Sequence, residues 1–122
     1  MTDYDALGGH SAVAALMEQF VRRAADDFII GFFFEGRDLE RIILHETELA
    51  CLHLGGQSRY SGRDLSAVHR PLKINRGQFR RRLAILRTTL TESGVQEEIV
   101  ERWIAHNQAL HDQVVIDRDC VE

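Results

Sequence analysis

The amino-acid sequence predicts a single all-α domain, for three reasons. Apolar residues recur at three- and four-residue steps along most of the chain, which is the spacing of one face of a helix. The single proline and most of the nine glycines fall between these periodic stretches, where helices begin and end. No convincing run of alternating apolar and polar residues indicates a strand. At 122 residues the chain is long enough for one hydrophobic core, and we expect one domain over residues 1–122.

A first long helix is predicted near the start of the chain. It begins at about residue 10 or 11, with Ser11 as a plausible N-cap, and ends near Ala25. An aromatic run follows from Phe28 to Phe34 and ends at Gly36. The apolar residues that share one face of this helix are Val13, Leu16, Met17, Phe20, Val21 and Ala24.

The second long helix is predicted to begin near Asp38, a good N-cap, and to end at the pair Gly55-Gly56. A short helix then runs from about residue 63 to His69, because Pro71 disfavours helix at the residue before it. The residues expected on one face of the second helix are Ile42, His45, Leu49 and Leu52.

Two further helices are predicted in the second half of the chain. The fourth runs over about residues 75–91 and is ended by Gly94, and the last runs over about residues 96–116. The apolar residues aligned along the fourth helix are Phe79, Leu83, Leu86 and Leu90.

Composition and charge exclude several classes of protein. Hydrophobic residues make up 44% of the chain, which argues against disorder. The net charge of −4 gives no reason to expect a nucleic-acid partner. No apolar run approaches the roughly 20 residues of a membrane helix, so we expect no membrane association. The N-terminus does not resemble a secretory signal, and the cytoplasm is the expected location.

The cysteines and arginines suggest no separate site. Cys51 is expected in the core and Cys120 in an exposed tail, and two cysteines so placed predict no disulfide framework. Arginines are concentrated in the predicted fourth helix, where we interpret them as a solvated face, with contact to a propionate or to a partner as the alternative. These arginines are Arg76, Arg80, Arg81, Arg82 and Arg87.

Six histidines in so short a chain indicate that a metal or haem site is worth testing. His45 lies in phase with apolar residues and is expected to point inward, and His69 ends a short helix beside Pro71. Each alone could be a core histidine with a hydrogen-bond partner. Together, two inward histidines on different helices suit axial ligation on opposite faces of a flat macrocycle, with Phe32–Phe34 as apolar walls. They suit zinc less well, because a structural zinc site needs four close ligands.

The chain also carries a series of short motifs in a specific order and spacing. The series begins with a double glycine before the first long helix, continues with a Phe and a Phe-Phe pair, and ends around a histidine. Its members are Tyr4–Gly9, Phe20, Phe33-Phe34, Leu54-Gly55-Gly56, Tyr60-Ser61-Gly62, and Val68-His69 with Ile74 and Phe79. In this order the chain resembles the truncated haemoglobins of the first group over nearly its full length.

The resemblance implies a truncated globin fold, a two-over-two sandwich of helices around haem b, with His69 as the proximal ligand to iron. His45 aligns with a position that supplies a second iron ligand in cyanobacterial-type members, so we expect a six-coordinate, bis-histidyl iron. A five-coordinate iron with His45 swung out is the alternative. Val21 is the main departure, because the family usually has a Tyr there whose hydroxyl holds bound dioxygen. Its absence argues against tight oxygen binding of the usual kind.

Further haem contacts follow from the resemblance. Phe34 would wedge the haem, Ile42 would cover its distal face, and Glu46 stands where the family often has Gln. The full set of expected cofactor contacts is Phe20, Val21, Phe33, Phe34, Ile42, Glu46, Leu49, Tyr60, Leu65, Arg70, Ile74, Phe79, Leu83 and His111.

Two regions of the haem edge receive specific expectations. Tyr60 and Arg70 are expected near the propionates. His111 lies roughly where some cyanobacterial members bond a haem vinyl group covalently, with His106 as a competitor; an ordinary surface or core-edge histidine is the alternative.

The function implied by the resemblance is reversible binding of O2, NO or CO. A displaceable internal ligand lowers external affinity, which favours a role in redox chemistry or in scavenging reactive nitrogen and oxygen species. An enzymatic activity would be nitric oxide dioxygenation or peroxide chemistry, and would need an external reductant. The alternatives are a five-coordinate oxygen-binding or transport globin, and a haem-free interaction module that binds through the helix of residues 76–87.

Overall fold

The computed structural model describes residues 1–57, 60–62, 64–69 and 72–115, and this part of the chain is helical throughout its regular structure. It contains no β-strand, only one isolated parallel bridge between Ile74 and Val115. A 3₁₀ turn spans Gly31–Phe34. The all-α prediction is therefore confirmed. The α-helices are α1 (Asp3–Leu7), α2 (His10–Ala25), α3 (Leu39–His53), α4 (Leu65–His69), α5 (Arg76–Glu92), α6 (Glu97–Gln108) and α7 (His111–Val114).

The four long helices form two pairs. Helix α2 packs against α3, α5 packs against α6, and the pairs meet through contacts of α2 with α5 and of α3 with α6. This is the two-over-two arrangement that the resemblance to truncated haemoglobins implies. The main core lies between the pairs, and its fully buried side chains include Trp103, Phe20, Met17, Leu86 and Leu90.

The start of the chain differs from the prediction in two respects. A five-residue helix, α1, precedes the double glycine and is stabilised by a capping box between Thr2 and Asp5. The N-cap of α2 is Gly9 rather than Ser11, and Gly9 has φ +83°, a conformation that an L side chain rarely adopts. The double glycine thus turns the chain between the two helices. The predicted buried face of α2 is confirmed in full.

Helix α3 begins after Asp38, whose side chain accepts a hydrogen bond from the backbone N–H of Arg41 at 3.2 Å, as predicted. Its neighbouring faces have different surroundings. One face is buried in the core; the next faces a cavity. Leu52 was predicted on the inward face but is 40% exposed, because the cavity ends one turn earlier, at Leu49. The residues of the buried face are Ile43, Thr47, Ala50 and Cys51.

Helix α5 begins after Asn75, which forms a capping box with Gln78. Phe79, Leu86 and Leu90 are buried as predicted, together with two residues that the prediction did not include. These two residues are Ile85 and Thr89.

The arginines of α5 are mostly on its solvated face. Arg81 pairs with Asp27 and Arg87 with Glu101, and each arginine side chain is over two-fifths exposed. Arg82 departs from this pattern and is only 23% exposed.

The last predicted helix, over residues 96–116, is interrupted. Helix α6 ends at Gln108, Leu110 leaves helical geometry, and the short α7 follows. The turn brings Val114 and Val115 onto Phe79, where they form a second buried cluster. A straight helix could not reach this cluster, so packing overrides the helical periodicity here.

The aromatic run between α2 and α3 is not a uniform wall. The backbone of Gly31 passes so close to the Ala25 carbonyl that a Cβ atom there would lie 2.6 Å from its oxygen. Phe28 is 100% exposed and Phe32 is half-exposed, whereas Phe33 and Phe34 turn inward. The expectation that Phe32 lines a site is therefore wrong.

The cysteines and the membrane-spanning potential of the helices were also considered from the sequence. Cys51 is fully buried, as predicted, and Cys120 lies outside the described residues. Within the described ranges, none of the helices combines the length and the apolar character that crossing a membrane would require.

Asp27 connects the aromatic run to α5. Its carboxylate accepts backbone hydrogen bonds from Ile29 at 2.9 Å and Ile30 at 3.1 Å, and two from the Arg81 guanidinium at 3.0 and 2.6 Å. The side chain is 7% exposed. The hydrogen bonds from Arg81, supported by those from the backbone, lower the pKa of Asp27 from 3.8 to about 2.

We predict that Asp27→Asn lowers the free energy of unfolding by about 1–2 kcal/mol at neutral pH, allowing for solvent screening of the half-exposed Arg81. Because the folded pKa is depressed, this stabilisation is present above the ordinary value of 3.8 and is lost as the pH falls towards about 2. Urea unfolding at neutral pH and near pH 3 measures the difference. Asp26→Asn, at the exposed neighbouring position, is the matched control. An equal loss in both variants, or a loss that does not shrink in acid, would contradict the account.

Candidate functional site

A cavity of about 490 Å³ lies between α3 on one side and α4, α5 and α7 on the other. Its volume is within the range of cofactor sites, roughly 300–1,000 Å³. Most of the residues predicted from the sequence for a site line this cavity. They are Phe33, Phe34, Ile42, His45, Glu46, Leu49, Tyr60, Leu65, His69, Ile74 and Phe79.

Four of the predicted residues that the structure describes are not part of the lining. Phe20 and Val21 lie in the main core, each 1% exposed. Leu83 packs against the cluster of Phe79, Val114 and Val115. His111 contacts the Phe79 ring edge-on, with 5.1 Å between ring centroids. Arg70 lies outside the described residues.

Several residues of the cavity were not predicted from the sequence, and Arg82 and Asn107 matter most among them. Arg82 is in helical phase with Phe79 and Leu86, and Asn107 follows Trp103 by one turn, so both lie on apolar faces. A polar residue in phase with a buried face was the signal that could have identified them. The other missed lining residues are Ala24, Ile30, Gly36, Arg37, Asp38, Arg41, Ser61, Gly62, Leu72, Gln78, Leu110 and Val114.

His69 is the last residue of α4, and its ring is held by its own helix. Its Nδ1 atom lies 2.8 Å from the backbone carbonyl oxygen of Leu65. Because a carbonyl can only accept, Nδ1 carries the proton, and Nε2 of the neutral ring is left as a lone-pair donor. Burial lowers the pKa of His69 below its usual 6.5, although the bond to Leu65 and the charge of Glu46 act in the opposite direction. The neutral, metal-binding form is therefore favoured at neutral pH.

His45 lies on the cavity face of α3, and its ring meets the edge of Tyr60 with 5.8 Å between centroids. Tyr60 is in turn packed over Gly62, where any Cβ atom would collide with the phenol. The segment is tied to α3 because Ser61 donates to the Glu48 carboxylate from its backbone N–H and from its hydroxyl, both at 2.8 Å. The position of His45 therefore depends on this segment as well as on α3.

Glu46, next to His45, is engaged in a half-buried ion pair. The Arg82 guanidinium donates to its two carboxylate oxygens at 2.9 and 3.1 Å, and also to the side-chain oxygen of Asn107 at 2.8 Å. Asn107 donates to the Trp103 carbonyl at 3.2 Å. Burial disfavours the charge on Glu46, but Arg82 outweighs it and holds the pKa of this carboxyl below 4.5. Glu46 is thus an ionised acceptor.

The remaining histidines lie away from the cavity lining. His53 and His106 stack on each other with 4.9 Å between centroids, and burial together with His106 lowers the pKa of His53. His10 is exposed. Among the described residues, no three His, Cys, Asp or Glu side chains are grouped so as to hold a metal ion by themselves.

Known proteins resemble this chain in sequence and in fold. A family model of bacterial-like globins matches residues 2–115. A group 1 truncated hemoglobin of Mycolicibacterium paratuberculosis is 32% identical over 97 residues, covering 80% of this chain and 71% of that protein. The ferric truncated hemoglobin of Tetrahymena pyriformis has a TM-score of 0.87 at 23% identity, covering 94% of this chain and 98% of that one. The 2/2 hemoglobin of Synechococcus sp. PCC 7002, with covalently attached heme, has a TM-score of 0.84 at 23% identity, covering 93% and 95%.

Proposed function

The chain belongs to the bacterial-like globins, among the group 1 truncated haemoglobins, and we propose that its cavity binds haem b through His69. The observation that carries this proposal is the bond between Nδ1 of His69 and the Leu65 carbonyl. Proximal histidines of haem and metal sites commonly donate their second ring nitrogen in this way, which fixes the tautomer and the ring orientation. His69 therefore offers iron a neutral, oriented nitrogen.

The rest of the cavity fits a flat, largely apolar group with acidic substituents. Phe34, Ile42 and Phe79 supply apolar and aromatic surface. The exposed residues Arg37 and Arg41 line the same cavity, where their guanidinium groups can pair with carboxylates at a solvent-facing edge. The donor set suits haem better than a bare metal ion, which would need more ligands from the protein.

We further propose that His45 supplies a second axial nitrogen. His45 and His69 lie on different helices and line one cavity. When bound, haem iron supplies a site for O2, NO or CO and a one-electron redox couple. External ligands would then compete with His45, and their apparent affinity would fall with the fraction of protein in which His45 is displaced.

The polar groups of the cavity support a redox or scavenging role over oxygen delivery. Val21 is apolar, and it lies in the core. Glu46 accepts hydrogen bonds from Arg82 through both oxygens and has no proton to donate. Few groups beside His45 can therefore donate a hydrogen bond to a negatively polarised ligand from this part of α3. Turnover would require an external reductant, and the enzymatic activity would be nitric oxide dioxygenation or peroxide chemistry.

We predict that His69→Gly weakens haem binding by about 100-fold or more, since even loss of an outer-shell partner commonly costs 10–100-fold. Adding free imidazole should restore a histidine-type spectrum, because the glycine leaves room for the ring. Haemin titration followed by Soret absorbance measures both effects. His10→Gly, at an exposed position outside the cavity, is the control for loss of an imidazole elsewhere. Unchanged haem affinity in His69→Gly would contradict the assignment.

For His45 we predict a change of coordination without loss of haem. The reduced wild-type protein should show sharp, split low-spin bands, and His45→Leu should show the single broad band of five-coordinate iron. Absorption spectra after dithionite reduction make the comparison, with His10→Leu as the control. A wild-type protein that is already five-coordinate, or a His45→Leu protein that stays low-spin, would rule out His45 as the second ligand.

A further inference from the structure

Arg82 joins three helices at the inner end of the cavity and stacks on a fourth. It lies on α5 and pairs with Glu46 of α3 and Asn107 of α6. Its guanidinium carbon stands 4.8 Å from the centroid of the Phe20 ring on α2. With 23% of its side chain exposed, it is much less accessible than the other paired arginines of α5.

The junction around Arg82 is polar where the adjoining core is apolar. Glu46, Arg82 and Asn107 line the large cavity and also a small void of about 10 Å³ on their other side, bordered by His53 and Trp103. The three side chains therefore form a partition between the cavity and the core. At this place a chain of hydrogen bonds links α3 to α5 and α6. It lies beside the apolar side chains of Ala50, Leu86 and Trp103, which border the void.

Such a partition has a mechanical consequence for the cavity. Its facing sides, Ile42 and Leu49 on α3 and Phe79 and Ile74 opposite, are apolar. Closing these surfaces on each other would lower the free energy of the haem-free chain, because an open apolar hollow destabilises a fold. A planar guanidinium that binds one carboxylate through two nitrogens has a fixed length and direction, and so resists this closure.

We propose that Arg82 is a positioning residue that holds α3 away from α5 and α6, so that the cavity is preformed before haem binds. The inference rests on the proposed haem binding. Arg82 is assigned no contact with iron or with the ligands of iron. Arg82 acts through Glu46 and Asn107, and it affects how readily haem enters the cavity.

The test is the rate of haemin uptake by the haem-free protein, measured by stopped-flow Soret absorbance. Arg82→Met keeps an unbranched apolar stem and removes the guanidinium together with its hydrogen bonds. If the open form becomes a minor state, uptake slows by about tenfold or more, in proportion to the open fraction. Arg87→Met is the matched control, since Arg87 lies on the same helix and its ion pair with Glu101 is on the surface. It should take up haem at the wild-type rate.

A second variant distinguishes the proposed positioning role of Arg82 from a simple loss of stability. Arg82→Met leaves the Glu46 charge without its partner, which alone destabilises the fold. The double variant Glu46→Gln/Arg82→Met removes that charge, so its haem-free form should regain wild-type stability to urea. Slow uptake in this stable double variant supports the proposal.

The outcomes are distinct. Wild-type rates of haemin uptake in the double variant would overturn the positioning role of Arg82. A wild-type protein that takes up no haem would overturn the proposed function, and the inference with it. Uptake that is normal in the wild type and equally fast in Arg82→Met would overturn the inference alone.

Discussion

The structure depends on one constraint: a chain of 122 residues must hold two apolar surfaces apart around a cavity of about 490 Å³. Small domains bury a limited fraction of their surface, so a hollow of this size must be offset by dense packing elsewhere. Helix α3 shows how this is done. Ile43 and Ala50 pack into the core, while Ile42 and Leu49 on adjacent faces line the cavity. The same helix thus contributes to stability and to the site.

The chemistry of the site follows from local restraints on two histidines. His69 is held by the carbonyl of its own helix, so its tautomer is fixed before any metal is present. His45 is followed on α3 by two carboxylates, Glu46 and Glu48, which tie this helix to Arg82 and to Ser61. Under the proposed function, the first restraint would favour strong binding of His69 to iron, and the second would hold the helix whose His45 competes with external ligands.

Much of the fold could be predicted because the long helices carry regular apolar faces and clear caps, as at Asp38 and Asn75. Helix α1 has no buried residue and therefore gives no periodic signal. The break after Gln108 was missed because Leu110 and Val114 keep helical spacing although the chain turns between them. For the site, the position of His45 on an apolar helix face identified it as a candidate. Arg82 also lies in phase with apolar residues, but it was left out of the predicted site because a charged residue in a helix is normally assigned to the solvated face. Only the packing of four helices reveals its partners.

The central claim is that this cavity takes one haem through His69, and titration of the haem-free protein with haemin tests it most directly. The account predicts a sharp Soret end point at one haemin per chain, followed on reduction by a histidine-ligated spectrum. Absorbance that rises without an end point, or a spectrum identical to that of free haemin, would show that the cavity does not hold haem and would contradict the account.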